Sequence, residues 1–124
     1  MTNRMSKKRA DPTEPARTAR EMRPYVADAA ALLKSLANEQ RLMILCHLVA
    51  GPLSVGELNE RVPLSQSALS QHLGLLRDAG IVATRRASQS VIYSLPPGIV
   101  TRIIELLHER FCPDGSARNP RSRP

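Results

Sequence analysis

The sequence carries two sets of residues whose chemistry points to a function. The first is a pair of thiols, Cys46 and Cys112, the only two cysteines in the chain. The second is a run of short hydrogen-bonding side chains at positions 65–71, five of which are Ser or Gln. Thiolates react with oxidants and metal ions, while Ser and Gln side chains can hydrogen-bond to base edges. What either set can do depends on the elements that hold it.

The polar run lies at the start of a predicted helix. Ser65 is a favourable N-cap for a helix over residues 66–79, and Gly80 suits the left-handed position that follows a helix end. Leucines at a helical spacing give this helix one apolar stripe, so the Ser and Gln side chains are left on the opposite face. The stripe consists of Leu69, Leu73 and Leu76.

A short helix precedes this one and a β-hairpin follows it. Ser54 and Glu57 have the spacing of a capping box, which predicts a helix from residue 55 to about residue 61. Two helices with so short a connection form a helix-turn-helix. Residues 81–86 and 90–95 are β-prone runs joined by three residues, which predicts a hairpin.

Three further helices complete the predicted domain. One starts after Pro24 and runs to about residue 36, and the next is capped by Asn38 and runs to residue 49. The last opens at Pro96-Pro97 and is apolar around more of its surface than one small domain can cover. The fold class is therefore mainly α with a β-hairpin wing, a winged helix-turn-helix. We expect the surplus apolar face to pack, with the first helix, in a two-fold homodimer.

The charge is concentrated at the two ends of the chain. The formal net charge is +7 over 124 residues, of which residues 1–24 contribute +4, residues 25–113 contribute +1 and residues 114–124 contribute +2. We predict disordered tails over 1–24 and 114–124, because neither has enough bulky apolar residues to form a core. The domain over 25–113 is almost neutral, so a nucleic-acid surface on it must be a local cluster.

Several classes of protein are disfavoured. An aromatic content of 2% argues against base-stacking platforms for single strands. The basic start has no apolar region behind it, and no apolar run approaches the length of a membrane span. The sequence has neither a C-x-x-C motif nor a phosphate loop, either of which would favour an enzyme, and no cofactor is expected. We expect a cytoplasmic protein with reduced thiols and no membrane partner.

Two segments resemble signatures of the ArsR/SmtB-type bacterial repressors. Residues 65–82, SQSALSQHLGLLRDAGIV, are similar to the recognition helix and wing entry of that family, and residues 36–45, LANEQRLMIL, are similar to its second-helix signature. The resemblance covers about residues 25–112, and the combined pattern is specific. It implies a homodimeric winged-helix repressor that binds double-stranded operator DNA.

Candidate DNA contacts lie on the recognition helix and the wing. Gln71 has the chemistry to pair bidentately with an adenine edge, and His72, beside the leucine stripe, is assigned a packing and phosphate-side role. Gly74 stands where relatives commonly carry a basic residue, which puts a phosphate contact there in doubt. Arg85 and Arg86 are suited to phosphates or a narrow minor groove, or alternatively to guarding an edge strand. The candidate residues are Ser65, Gln66, Ser67, Ser70, Gln71, His72, Arg77, Arg85 and Arg86.

No metal site is expected. Relatives with thiolate metal sites carry two cysteines near residues 54–57, where this chain has none. The last helix offers Glu105, His108 and Glu109 within one turn, a poor ligand set for nickel, cobalt or zinc.

Cys46 and Cys112 match the two cysteines of the dithiol branch of this family, which responds to persulfides and sulfide. The resemblance implies that both thiols are free in the DNA-bound dimer. A low-molecular-weight persulfide or oxidant then bridges them, directly or through added sulfur atoms, and operator affinity falls. Nearby cations that could favour a thiolate are Arg41, His47, His108 and Arg110.

Other functions remain open from the sequence. Cys46 on its own is better explained as an inert core residue, since free cysteines are among the most buried residues. The same DNA-binding dimer could be metal-responsive or could need no effector. A small redox enzyme or an interaction-only winged helix belongs to a different class. Neither would need the polar helix face and the arginine pair.

Overall fold

The computed structural model describes residues 13–112 of the chain, which divides into two units, Met1–Leu33 and Lys34–Pro124. In the first unit, helix α1 (Arg17–Met22) leads through a 3-10 turn (Arg23–Tyr25) into α2 (Val26–Leu36), which ends in the second unit. The remaining elements are α3 (Glu39–Val49), β1 (Leu53–Ser54), α4 (Val55–Arg61), α5 (Gln66–Asp78), β2 (Ala83–Ala87), β3 (Ser90–Ser94) and α6 (Ile99–Phe111).

Helix α1 corrects the prediction that residues 1–24 are disordered. Arg17 and Glu21 form an ion pair of 3.0 Å across one helical turn, and Pro24 stands in the first turn of the 3-10 segment, where its missing N–H costs no hydrogen bond. These local features can support a helix without a buried face. The predicted disorder of residues 1–12 and 114–124 lies outside the described residues, and the domain bounds 25–113 stay a prediction.

The predicted fold class of the second unit is confirmed. It is mainly helical, with a small antiparallel sheet in the order β1-β3-β2 and a hairpin formed by β2 and β3. Strand β1 was not predicted, because two residues between Pro52 and a helix cap carry no periodic pattern. The helices over 39–49 and 55–61 have their predicted bounds, while α5 ends at Asp78 and α6 begins at Ile99.

Side-chain caps set where the helices begin. The Asn38 Oδ1 atom accepts a hydrogen bond from the Arg41 amide at 3.0 Å. Ser54 and Glu57 form the complete capping box, with Oγ accepting from the Glu57 amide and the carboxylate accepting from the Ser54 amide. Each cap satisfies backbone N–H groups that have no partner within the helix, which stabilises a helix by about 1 kcal/mol.

The core lies where the leucine stripe of α5 packs with apolar residues of neighbouring elements. Each fully buried Leu or Ile contributes about 1.5–3 kcal/mol of burial free energy, so these residues fix α5 with one face inward. Ile81 and Val82 were predicted to be strand residues, but they precede β2 and are 5% exposed. Gly80, at φ +75°, makes the turn that brings them into the core. The most completely buried side chains are Ile44, Leu45, Leu58, Val62, Leu69, Leu73 and Leu76.

None of the helices described has the length and apolarity needed to cross a membrane.

Candidate DNA-reading surface and thiol groove

The predicted recognition helix presents its polar residues to solvent. Ser65 caps α5 through a hydrogen bond of 3.1 Å from the Ala68 amide to its Oγ. Because Leu69, Leu73 and Leu76 are buried, the helix has a single outward face, near its N-terminus, of short polar side chains. The exposed predicted residues on this segment are Ser65, Gln66, Ser67, Ser70 and Gln71. We call this set the α5 polar face.

His72 lies beside the α5 polar face and is half-buried. Its Nδ1 atom is 3.4 Å from Nη1 of Arg41, a residue 31 positions earlier in the chain. The sequence pattern indicates Arg41 only as a cation near the thiols. Its contact with His72 depends on how α3 packs against α5, which no local pattern shows.

Arg77 lies on the exposed side of the last turn of α5. Its Nη2 atom is 3.5 Å from Oδ1 of Asp78, and both side chains are at least half exposed. Such an ion pair contributes little to stability. The carboxylate also offsets part of the positive charge that a phosphate would meet at this position.

Arg85 and Arg86 do not form a joint basic patch on one face of the hairpin. Both are exposed, but consecutive strand residues point to opposite faces of a sheet. Arg86 pairs with Val91, which shares its face with the buried Tyr93 on β3, whereas Arg85 pairs with Ile92 on the other face. Each arginine therefore meets a different environment, and the DNA contacts of both stay a prediction.

Cys46 and Cys112 line the same groove although they are 66 residues apart. Cys46 lies on α3, Cys112 is the C-cap of α6, and both are free thiols. The groove has a volume of about 710 Å³, which is typical of small-molecule sites. Its other lining residues are Leu42, Val49, Ile104, Glu105, Leu107, His108, Glu109 and Phe111. We call this the thiol groove.

The thiol groove changes the acidity of Cys46. Partial burial raises the pKa of the Cys46 thiol, and the nearby charge of Cys112 raises it further. Cys46 is exposed as a residue, so the alternative that it is an inert core residue is wrong. Of the cations proposed to favour a thiolate, His108 lines the groove, whereas the Arg41 side chain contacts His72 instead.

Glu105, His108 and Glu109 also line the thiol groove, yet they do not form a metal site with the thiols. Within residues 13–112, no group of three or more His, Cys, Asp or Glu side chains is arranged to hold a metal ion.

Comparison with known proteins identifies the family. Residues 38–84 match the model of the bacterial regulatory proteins of the arsR family. The transcriptional activator HlyU of Vibrio cholerae is 54% identical over 92 residues, which cover 74% of this chain and 85% of HlyU. The chain belongs to the ArsR family. A biofilm growth-associated repressor of Xylella fastidiosa is 40% identical over 102 residues, covering 82% of this chain and 90% of the repressor.

A solved structure supports the same assignment. Reduced HlyU from Vibrio cholerae superposes on this ArsR-family chain with a TM-score of 0.69 at 54% identity, covering 74% of this chain and 97% of HlyU. The protein is a DNA-binding transcriptional regulator, and the prediction that it is not an enzyme is confirmed by its relatives.

Proposed function

We propose that this regulator is a homodimeric repressor that binds operator DNA through the α5 polar face and releases it when Cys46 and Cys112 become bridged. The observation that carries the switch is that both thiols line one groove between α3 and α6. A bridge requires the two thiols to share one site, and the fold brings them to the same groove although they are 66 residues apart in the chain.

The α5 polar face supplies the DNA-reading part of this function. Hydrogen-bonding side chains cluster at the N-terminus of a helix whose opposite side is buried, as expected for a helix that enters a major groove. Gln71 is the residue we assign to a base edge, because its amide can donate and accept at once. The other polar residues of the face, with the helix N-terminus, are assigned to phosphates.

The exposed apolar side of α6 supports the homodimer. Ile99 is 63% exposed and Leu106 56%, and the two lie seven residues apart on one side of the helix, where they form an exposed apolar patch. Covering them with a second copy removes this surface from water and places two recognition helices in a two-fold arrangement, which an operator with two half-sites requires.

A persulfide of the type R–S–SH can bridge the thiols with no further oxidant. The Cys112 thiolate attacks the terminal sulfur, R–S⁻ leaves, and Cys112 carries the transferred sulfur as a persulfide. The Cys46 thiolate then attacks the sulfur attached to the Cys112 carbon, and HS⁻ leaves. Two thiols have been oxidised to a disulfide, the transferred sulfur has been reduced to sulfide, and the two thiol protons end on R–SH and H₂S. If a second persulfide molecule transfers sulfur to a cysteine before the bridge closes, the bridge contains an additional sulfur atom.

Partial burial raises the pKa of Cys46, so less of this thiol is thiolate at neutral pH, and the thiolate is the reactive form. The same bridge and the same products form if the two thiols exchange their roles in these steps.

The bridge has a physical route to the DNA-reading surface. It joins α6 to α3, and α3 contacts both α5 and α6. A displacement of α3 relative to α6 therefore shifts the support of the recognition helix. Since two recognition helices must match half-sites one DNA turn apart, a small rotation in each subunit lowers operator affinity.

The test combines mass spectrometry with DNA binding. Treating the reduced protein with a thiol persulfide should link Cys46 to Cys112 within one chain and release a fluorescent operator duplex. A change from largely bound to largely free corresponds to a coupling of roughly 3–5 kcal/mol. Cys46→Ser and Cys112→Ser should each bind the operator as the reduced wild type does, because neither thiol is on the α5 polar face, and neither should release it.

Two results would overturn the proposal. Release of DNA by the treated Cys112→Ser variant is one, since no bridge can form in it. The other is a fully bridged wild type that keeps its operator affinity. If zinc or nickel released the DNA from a protein without a bridge, the metal-responsive alternative would replace the dithiol switch.

A further inference from the structure

The Arg41 side chain connects three elements of the second unit. From α3, its Nε atom donates to the Ser35 carbonyl at 2.7 Å and its Nη2 atom donates to the Lys34 carbonyl at 3.4 Å. Its Nη1 atom contacts Nδ1 of His72 on α5 at 3.4 Å. One guanidinium thus joins the end of α2 to the flank of the recognition helix.

The two carbonyl contacts have a structural explanation. The last carbonyls of a helix lack partners within it and carry partial negative charge, so a cation there stabilises the helix end. This explains why a cation at position 41 is useful to the fold. It does not explain the contact with His72, because a cation that only capped α2 would not need a third partner.

The third contact favours one tautomer of the His72 ring. A guanidinium has only N–H donors, so Nδ1 of His72 must accept the hydrogen bond. A neutral imidazole that accepts at Nδ1 carries its proton on Nε2. His72 therefore has its second nitrogen as a donor, on a side chain that is half-buried next to the exposed Gln71.

We propose that Arg41 is a positioning residue for DNA recognition, which holds His72 as the Nε2–H tautomer so that this N–H donates to a backbone phosphate of the DNA. A phosphate is the fitting partner because His72 flanks the buried leucine stripe, away from the centre of the α5 polar face. The inference rests on α5 being the DNA-reading helix, but not on the dimer or the thiol switch.

The tautomer can be read directly by NMR. The chain has three histidines, so a ¹⁵N-detected imidazole spectrum contains His47 and His108 as internal controls. We expect Nδ1 of His72 to show the shift of an unprotonated acceptor in the wild type, and Arg41→Met to give a mixture of both tautomers for His72 alone. A protonated Nδ1 in the wild-type ring overturns the proposal, and this measurement needs no variant to fold.

A double-mutant cycle tests the link to DNA. His72→Ala should weaken operator binding about tenfold, or about 1.4 kcal/mol, with a smaller salt slope. Arg41→Met should weaken it about twofold to threefold, because a mixture of tautomers still contains the Nε2–H form. The double variant should bind no more weakly than His72→Ala, because Arg41 acts through His72. Arg41→Lys is the matched control: it keeps a cation near the α2 carbonyls but lacks the fork that reaches all three partners, so thermal stability should recover more than operator affinity.

Two outcomes contradict this role. One is a double variant that binds more weakly than His72→Ala by the full factor lost in Arg41→Met, since additive losses mean that Arg41 does not act through His72. The other is an Arg41→Lys variant whose affinity recovers in step with its melting temperature, which would leave Arg41 with a role in stability alone.

Discussion

The α5 polar face and the thiol groove are assembled in opposite ways. All residues of the polar face lie within seven positions on one helix, and a single serine cap fixes where that helix begins. The thiol groove is assembled from two helices that are distant in the chain, and its shape depends on how α3 and α6 pack. The first is a local site and the second exists only in the folded domain.

This difference predicts that the α5 polar face and the thiol groove have separate roles. Side chains of the polar face project away from the core, so under the proposed function changing them should alter DNA contacts without moving α3 or α6. Changing a thiol should prevent the proposed bridge and leave the polar face intact. Affinity and response should therefore be separable by mutation, except at residues such as Arg41 that contact elements of both regions.

Among changes to the α5 polar face, we expect Gln71→Ala to have the largest effect on base discrimination. Loss of a bidentate contact should lower discrimination at one base pair by about 1–3 kcal/mol, because the base edge then has no matching partner. Binding to a panel of operator duplexes with single base changes measures this. Persulfide should still bridge the thiols of the variant.

Gln40→Ala, on α3, is the matched control and should leave discrimination unchanged. If Gln71→Ala weakened binding to operator and random duplexes equally, Gln71 would contact only the DNA backbone. Failure of the bridge to form in this variant would mean that the two regions are not separable.

The local site was predictable from the sequence to a greater extent than the groove. A capping serine and a leucine spacing were enough to predict α5 and its outward face. The pairing of Cys46 with Cys112 came from a resemblance, since no local pattern brings positions 66 residues apart together. The Arg41 contact with His72 was missed for the same reason, because it depends on the packing of α3 against α5.

The hairpin shows a second limit of sequence reasoning. Arg85 and Arg86 are adjacent in sequence, but strand alternation places them on opposite faces of the hairpin. Adjacency in a sequence means proximity on a surface only when the secondary structure allows it. For the same reason, two otherwise identical substitutions at these positions should differ.

Arg86→Ala should weaken binding to all duplexes and lower the salt slope by about 1, as expected for one lost phosphate contact. Its face of the hairpin is that of Tyr93, on the side where β3 packs against α3 and α4. Arg85→Ala has the same change in charge on the outer face and should have little effect. Affinity measured across a series of salt concentrations distinguishes them. Equal slopes would show that the wing attracts DNA only by its total charge.

The smallest expected effect concerns the capping box that begins α4 and precedes the recognition helix. The hydrogen bond from the Ser54 amide is the main cause that lowers the pKa of Glu57 below its ordinary value of 4.5. A carboxyl with a lowered pKa adds stability above that ordinary value, and this stability is lost as pH falls through the lowered pKa.

Glu57→Gln should therefore be slightly less stable than the wild type at pH 7, and the difference should shrink as the pH is lowered below 4.5. Glu60→Gln is the matched control, because Glu60 is exposed on the same short helix outside the capping box. Thermal melts of the three proteins from pH 7 to pH 3 make the comparison. If the difference between Glu57→Gln and the wild type stayed constant over this range, the carboxylate charge would not be what supports the cap. If Glu57→Gln also changed operator affinity at pH 7, the DNA-reading site would include the first turn of α4 as well as α5.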